Sequence, residues 1–364
     1  MEDRTIGGTT ARTIGIYTHI PFCRRACFYC HFFKAPFTEE AAQTYLEALG
    51  IEAQLRSDPH SIADTLYIGG GSPSLLSPTQ LESLLNHIHR YFSLAHEAEV
   101  TVECNPEDVA LPLLKSYRAL GVNRLSIGTQ SFAQEDLDVL RRPHSAEQSS
   151  QAVELAREAG FDNINIDYIL AIPGQTAQSL EKSLRMVERL SVPHVSAYLL
   201  EGVRQETDQE DERDRGLYHL TGLELEKMGL HHYEVSNFAK PGKRSRHNLK
   251  YWKNQPYIGL GASASGFVNG RDYKNIDNLE IYLDLLQKGK LPESEVEAQN
   301  LDTRAIVMGL RLLDGLPQET FKSREHREAL NFLLDSGMLV HQRGQVHVPP
   351  DNILLLNEIL SYFI

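Results

Sequence analysis

Long apolar runs are missing from this sequence. No stretch approaches the ~18 consecutive apolar residues of a membrane span, and the opening MEDRTIGGTTART holds no apolar core of the signal-peptide kind. A cytoplasmic protein, not integral to a membrane, is the reading. Positive charge is also scarce: 36 Lys and Arg stand against 49 Asp and Glu, a net charge of −13, which argues against broad nucleic-acid binding. There is one tryptophan, and only four cysteines in 364 residues, so where these fall matters. The apolar and charged fractions, 41% and 23%, are ordinary for a soluble globular chain. Its length suits one large α/β domain plus a small one.

Three of the four cysteines, Cys23, Cys27 and Cys30, fall within YTHIPFCRRACFYCHFF, directly after the β-patterned run 14–20. Thiolates packed this closely repel one another unless a metal or cluster takes up their charge, and intracellular thiols of this kind are more often ligands than disulfides. The C-x3-C-x2-C spacing lets three sulfurs converge from one loop and leaves a fourth site open, which suits a 4Fe–4S cluster whose remaining iron meets a small molecule. A zinc site using the three cysteines and His31 is the competing use of the motif; three unconnected thiols are another. Cys104, alone in VTVEC, reads as a small buried hydrophobe.

Short β-rich runs at 15–20, 65–68, 99–103, 123–127, 163–169 and 194–200 alternate with helix-length segments at 39–56, 78–91, 106–120, 146–159 and 176–190. Six strands alternating with helices predict an α/β fold with a parallel sheet. The charged stretch 204–215 reads as a solvated helix entry. From about residue 301 the pattern becomes helix (302–313), helix (324–336), two short strands near Leu339 and Val346 turning at Arg343-Gly344, and a last helix. That order is winged-helix-like, and without a basic excess it predicts packing against the barrel rather than DNA reading.

The cysteine spacing, with an aromatic before the last cysteine, resembles the radical S-adenosylmethionine (SAM) enzymes. Tyr17-x-His19-Ile20-Pro21-Phe22-Cys23 resembles more narrowly the group that holds oxygen-independent coproporphyrinogen III oxidases and haem chaperones of the HemW type. The resemblance implies a partial (βα)6 barrel and a 4Fe–4S cluster on Cys23, Cys27 and Cys30. It also implies that SAM chelates the open iron and is split by an electron from the cluster. It divides the chain into a core (1–238), a connecting haem-binding segment (239–290) and a C-terminal winged-helix-like domain (291–364).

In parallel α/β barrels, chemistry collects at the C-terminal strand ends, and the informative residues fall there. Gly69-Gly70-Gly71-Ser72-Pro73 follows the second strand, where glycines let backbone groups approach a ligand. Glu103 ends the third strand in TVECNPE, Gln130 follows the fourth in RLSIGTQSF, and Asp167 lies in NINIDYILAIPGQT. Arg142 or Arg141, in LRRPHS, supplies a guanidinium for a carboxylate. The resemblance makes Gly70, Gly71, Ser72, Glu103, Gln130, Arg142 and Asp167 SAM contacts, with Tyr17 near the sulfonium and Tyr29 at the adenine. Arg141 and Ala171 stand where the family prefers glycine.

Two features separate the branches. The oxidases usually carry a further cysteine where this chain has Phe32, and a longer extension before the first strand. The chaperones carry H-N-x-x-Y-W, present here as His247-Asn248-Leu249-Lys250-Tyr251-Trp252. A neutral imidazole can ligate haem iron and aromatics can pack on a porphyrin, so His247, Tyr251 and Trp252 are candidate haem contacts. Six basic residues from Lys240 to Lys253, with no acid between them, are candidate propionate partners. The function expected is a haem chaperone whose partners are haem and client haemoproteins, respiratory-chain proteins among them, with a homodimer as an assembly it allows. The alternative is an oxygen-independent coproporphyrinogen III oxidase.

Overall fold

The structure, a computed structural model, describes residues 5–6, 9–10, 12–200, 208–296 and 300–364. A hydroxyl caps most of the early helices by accepting an N–H of the first turn. Thr38 starts α1 (Glu39–Leu55) and Ser77 starts α2 (Pro78–Tyr91). Residue 106 begins only a short 3-10 turn; α3 (Leu111–Ala119) starts later, with Pro112 in its first turn where a missing N–H does no harm. Ser145 and Thr176 cap α4 (Ala146–Glu158) and α5 (Ala177–Leu190).

Between these helices run β1 (Arg12–Ile20), β2 (Ser61–Gly70), β3 (Ser93–Cys104), β4 (Arg124–Gln130), β5 (Ile164–Leu170) and β6 (His194–Leu199). Each pairs in parallel with the next, and the sheet order does not close on itself. The expected α/β fold with a six-strand parallel unit is therefore present, as an open barrel.

The repeat extends further than its sequence pattern predicts. After α6 (Asp208–Lys227), β7 (His231–Glu234) and β8 (Asn237–Ala239) add an antiparallel edge beside β6. Residues 204–207 of the charged stretch lie outside the described residues. Beyond α7 (Arg246–Trp252), β9 (Tyr257–Leu260) returns to pair in parallel with the free edge of β1, Gly259 opposite Tyr17. Antiparallel β10 (Ser265–Val268) and β11 (Arg271–Asn275), then α8 (Leu279–Gln287) and β12 (Glu293–Ser294), complete the sheet, twelve strands among the described residues. Residues 239–290 are thus part of the same sheet and not a separate unit; a boundary at 238 cuts through β8. The four-residue β9 was too short to stand out by periodicity.

The C-terminal part runs α9 (Leu301–Gly309), β13 (Leu316–Pro317), α10 (Arg324–Asp335), β14 (Val340–Gln342), β15 (Gln345–His347) and α11 (Leu356–Ser361). Arg343 and Gly344, at φ +52° and +78°, make the tight hairpin turn that the sequence predicted. Core residues from Ile16 and Leu66 through Leu333 and Ile359 belong to one apolar cluster, so this part shares the barrel's core.

Glu52 ties α1 to the added strands. Fully buried, it accepts from Arg56 Nε (2.8 Å), Asn275 Nδ2 (2.7 Å), Gly261 N (2.8 Å) and Tyr282 Oη (2.6 Å). Removing it leaves Gly261 N and Tyr282 Oη without their acceptor and takes one partner each from Arg56, which keeps Glu293, and Asn275, which keeps the Gly261 carbonyl. Glu52→Ala is expected to destabilise the chain by about 3–5 kcal/mol, the usual effect of breaking a buried charged network, read as a lower urea midpoint; an unchanged midpoint would refute this role.

Candidate functional site

Parallel pairing brings the C-terminal ends of β1 to β6 to one rim, and behind that rim lies a cavity of about 810 Å³. Cys23, Cys27 and Cys30 line it, from the loop that leaves β1, and so does Tyr29 between them. Gly70, Gly71 and Ser72 line it after β2, Glu103 at the end of β3, Gln130 at the end of β4, and Asp167 from β5. Arg142 completes the set. The structure thus gathers eleven sequence-predicted residues around one space.

The glycines hold the cysteine loop in place. Gly70 adopts φ +112°, and a Cβ at Gly71 would lie 2.7 Å from the Phe22 carbonyl oxygen. That closeness lets Gly71 N donate to Ile20 O (2.8 Å) and Ser72 N donate to Phe22 O (2.8 Å), stitching the second rim loop to the first.

A hydrogen-bond relay links two of the thiols. Arg142 lies 3.4 Å from Cys27 Sγ through one terminal nitrogen and donates through the other to Asn105 Oδ1 at 2.8 Å. Asn105 Nδ2 donates to Ser72 Oγ (2.8 Å), which points its own proton toward Cys23 Sγ at 3.7 Å. An amide is the side chain able to accept at one end and donate at the other, yet Asn105 sat unnoticed in TVECNPE. The arginine ambiguity resolves here too: Arg142 is buried and points inward, whereas Arg141 is exposed, with its guanidinium 5.6 Å from the Phe28 ring centroid. Arg141 and Ala171 adopt φ +55° and +61°, the left-handed conformation that makes glycine the family's usual choice at both places.

Buried acids set the electrostatics. Glu103 accepts from Tyr67 Oη (2.8 Å) and Gly70 N (2.9 Å); burial, then the charge of Asp167, pushes its carboxyl up to about 7. Burial likewise raises Asp167, partly offset by the Asn165 amide that donates to it at 2.8 Å. Burial also raises the Cys23 thiol, against the pull of Ser72.

Other assignments need correction. Tyr17 does not line the cavity; its hydroxyl bonds to His19 Nδ1 at 2.9 Å, and the Tyr67 ring, 6.1 Å away, faces the space instead. His247 is not placed to ligate iron. It is buried, with Nδ1 2.8 Å from Thr65 Oγ1 and Nε2 2.6 Å from Tyr251 Oη, so both ring nitrogens are engaged. Burial, with the nearby Lys250 and Arg124 charges, pushes it down to about 3. Tyr251 and Trp252 do not line the cavity either; Tyr251 packs edge-on against Tyr257, 4.5 Å between centroids. The physical reason is β9: by returning to β1 it draws α7 against the inner face of β1 and β2, where His247 stacks on Tyr67 at 5.3 Å. The basic run is largely spoken for. Lys243 pairs with Asp162, Arg244 with Asp314, and Arg246 and Lys250 with Asp64.

The donor chemistry fits a thiolate-bound cluster: three soft ligands face one space, with a buried guanidinium beside Cys27 to offset their charge. Among the described residues, no three Cys, His, Asp or Glu side chains converge as for a single metal ion.

Glu103 gives a pH test. Its folded-state pKa of about 7 lies above the ordinary 4.5, so between these values the folded chain holds a proton the unfolded chain has lost, and stability falls as pH rises through that window. Glu103→Gln cannot titrate. It is expected to flatten this part of the profile in urea denaturation of cofactor-free protein, and an unaltered slope would count against the assignment.

Comparison with known proteins identifies the family. The Radical SAM superfamily pattern matches residues 17–187. A protein of Lactococcus lactis subsp. lactis (strain IL1403) named "Heme chaperone HemW" is 35% identical, over 96% of each chain. One of the same name from Bacillus subtilis (strain 168) is 33% identical over 96% of this chain and 98% of that one. The solved structure of coproporphyrinogen III oxidase (HemN) from Escherichia coli superposes with a TM-score of 0.82 at 24% identity, covering 97% of this chain and 90% of that one, a likeness of fold. Among the described residues, no helix is long and apolar enough to cross a membrane. The chain belongs to the radical SAM superfamily, in the family of the proteins named heme chaperone HemW.

Proposed function

We propose that this chain is a haem chaperone of the HemW type, which binds a 4Fe–4S cluster, SAM and haem and passes haem to client haemoproteins. The observation that carries the reading is the near-full-length similarity to relatives of that name, 35% and 33% identical over 96% of this chain. Phe32 adds support: it stands, 66% exposed, where the oxidases usually carry a further cysteine.

In this reading Cys23, Cys27 and Cys30 hold the cluster, and Gly70, Gly71, Ser72, Glu103, Gln130, Arg142 and Asp167 hold SAM, with Tyr29 at its adenine. Bound there, the cluster offers an open iron and an electron to SAM. The chain's own residues do the positioning. The Gly71 and Ser72 amides fix the cysteine loop, the Arg142–Asn105–Ser72 relay orients two thiols, and Glu103 is pinned by Tyr67 and Gly70. A carboxyl with a pKa of about 7 can accept from a ligand hydroxyl or ammonium group when ionised and donate when protonated.

The test is haem titration beside porphyrinogen turnover on one anaerobically reconstituted sample. Iron and sulfide in cluster ratio, saturable haem binding and no decarboxylation of coproporphyrinogen III with SAM and dithionite are expected. Turnover of the porphyrinogen would overturn the chaperone reading in favour of the oxidase. His247 is expected to serve the fold: His247→Ala should lower stability by about 2–4 kcal/mol through a cavity and two unpaired hydroxyls, with haem affinity retained. A folded variant that has lost haem would reverse that assignment.

A further inference from the structure

We propose that the inner part of the cavity is a carboxylate subsite built on Arg124 and Asn248, and that it receives a propionate of a bound tetrapyrrole. The inference rests on the haem-binding reading above.

Arg124, the first residue of β4, is 2% exposed and lines the cavity. Its Nε is buried without a partner, and among the described residues its guanidinium makes no hydrogen bond or ion pair. A buried cation left in that state is strongly unfavourable, and such a group in a native fold calls for a partner. The neighbouring acids Glu103 and Asp167 attract it through space, but neither is a hydrogen-bond partner. Glu103 is held by Tyr67 and Gly70, Asp167 by Asn165, and neither comes within ion-pair reach of Arg124. Of the other cavity arginines, Arg142 donates to Asn105, Arg311 donates to the Val307 carbonyl and lies over the Trp252 ring, and Arg24, Arg25 and Arg141 are exposed to solvent. Among the described residues that line the cavity, Arg124 is the buried guanidinium with no hydrogen bond at all.

Asn248 supplies the second donor. It follows the buried His247, lines the same cavity, and its side-chain amide makes no hydrogen bond among the described residues. Arg124 and Asn248 line the same cavity, Asn248 directly after His247, whose ring stacks on Tyr67 of that lining. A guanidinium fork beside an amide N–H suits a carboxylate, with charge-assisted bonds from the first and a neutral one from the second. The HNLKYW segment thereby acquires a role that His247 does not fill: His247 locks the helix so that Asn248 faces inward. Apolar walls at Leu199, Val235 and Leu354 would take the flat body of the ligand.

A carboxylate also belongs to the methionyl end of SAM, and the test separates the two sources. Cluster-reconstituted full chain, as wild type, Arg124→Gln and Asn248→Asp, is titrated with haem, with haem dimethyl ester and with SAM. Both variants are expected to bind haem roughly tenfold or more weakly, as loss of a charge-assisted bond or a new repulsion predicts, with ester and SAM affinities unchanged. Loss of SAM affinity instead, with haem unaffected, would overturn the propionate assignment and give the subsite to SAM. Unchanged affinity for haem and SAM in both variants would overturn the subsite altogether. If Arg124→Gln fails to fold, Asn248→Asp decides alone, because Asn248 is only half-buried and its fold is readable by urea denaturation. A wild type that binds neither haem nor its ester would refute the haem-binding reading rather than the subsite, which the SAM arm then decides.

Discussion

Parallel pairing of β1 on both its edges is the constraint from which the site follows. On one side Tyr17 faces Tyr67 of β2, and on the other it faces Gly259 of β9. With both edges hydrogen-bonded, β1 cannot slip without turning its inward side chains outward, so the loop that leaves its end is delivered to a fixed place. That loop carries Cys23, Cys27 and Cys30. The close approach of Gly71 to the Phe22 and Ile20 carbonyls then fastens it to β2, and the remaining strands add their end residues around the same rim.

Charge is arranged with similar economy. Burial in this cavity penalises the ionised groups deepest in its lining. Glu103 and Asp167 meet this by neighbouring donors and by raised proton affinity. Arg142 meets it with Asn105, and Glu52, deeper in the core, with four donors. Lys250, nearly buried, meets it with Asp64. Against that background Arg124, buried and without a hydrogen bond among the described residues, has its charge met only through space, by Glu103 and Asp167.

The six parallel strands and the rim residues were legible in sequence because they carry local signals: apolar runs of strand length, hydroxyls before helices, glycines and polar residues at strand ends. Ser145 with Gln148 and Ser77 with Gln80 form capping boxes at helix starts visible as such. What was not legible is non-local. The pairing of β9 with β1 joins residues some 240 apart in sequence, and four residues of strand carry no period to detect. That pairing decides the fate of the HNLKYW motif. Read alone, a histidine with two aromatics looks like an exposed haem ligand set; placed by β9, it is a buried plug. Asn105 and Arg124 were missed for the same reason, since an amide after a strand and an arginine at a strand start acquire meaning from partners, or from lacking them, in space.

Tyr17 shows how the two ends of the cavity are physically continuous. His19 Nε2 lies 3.0 Å from the Phe33 carbonyl, which can only accept, so Nε2 carries the proton and Nδ1 accepts from the Tyr17 hydroxyl. Burial lowers the pKa of this ring, consistent with that single neutral tautomer. Tyr17 in turn lies with its ring 6.4 Å from His247, which is fixed by Thr65 and Tyr251. A contiguous path of packed and hydrogen-bonded groups therefore runs from α7 through Tyr17 and His19 to Phe33, just beyond the last cysteine of the loop. Glycine at position 15 permits it, because a Cβ there would meet the Lys250 side chain at 2.8 Å and hold α7 away. The residue expected to touch SAM instead joins the floor of the cavity to its mouth, so the signature helix and the cysteine loop are seated by the same strand.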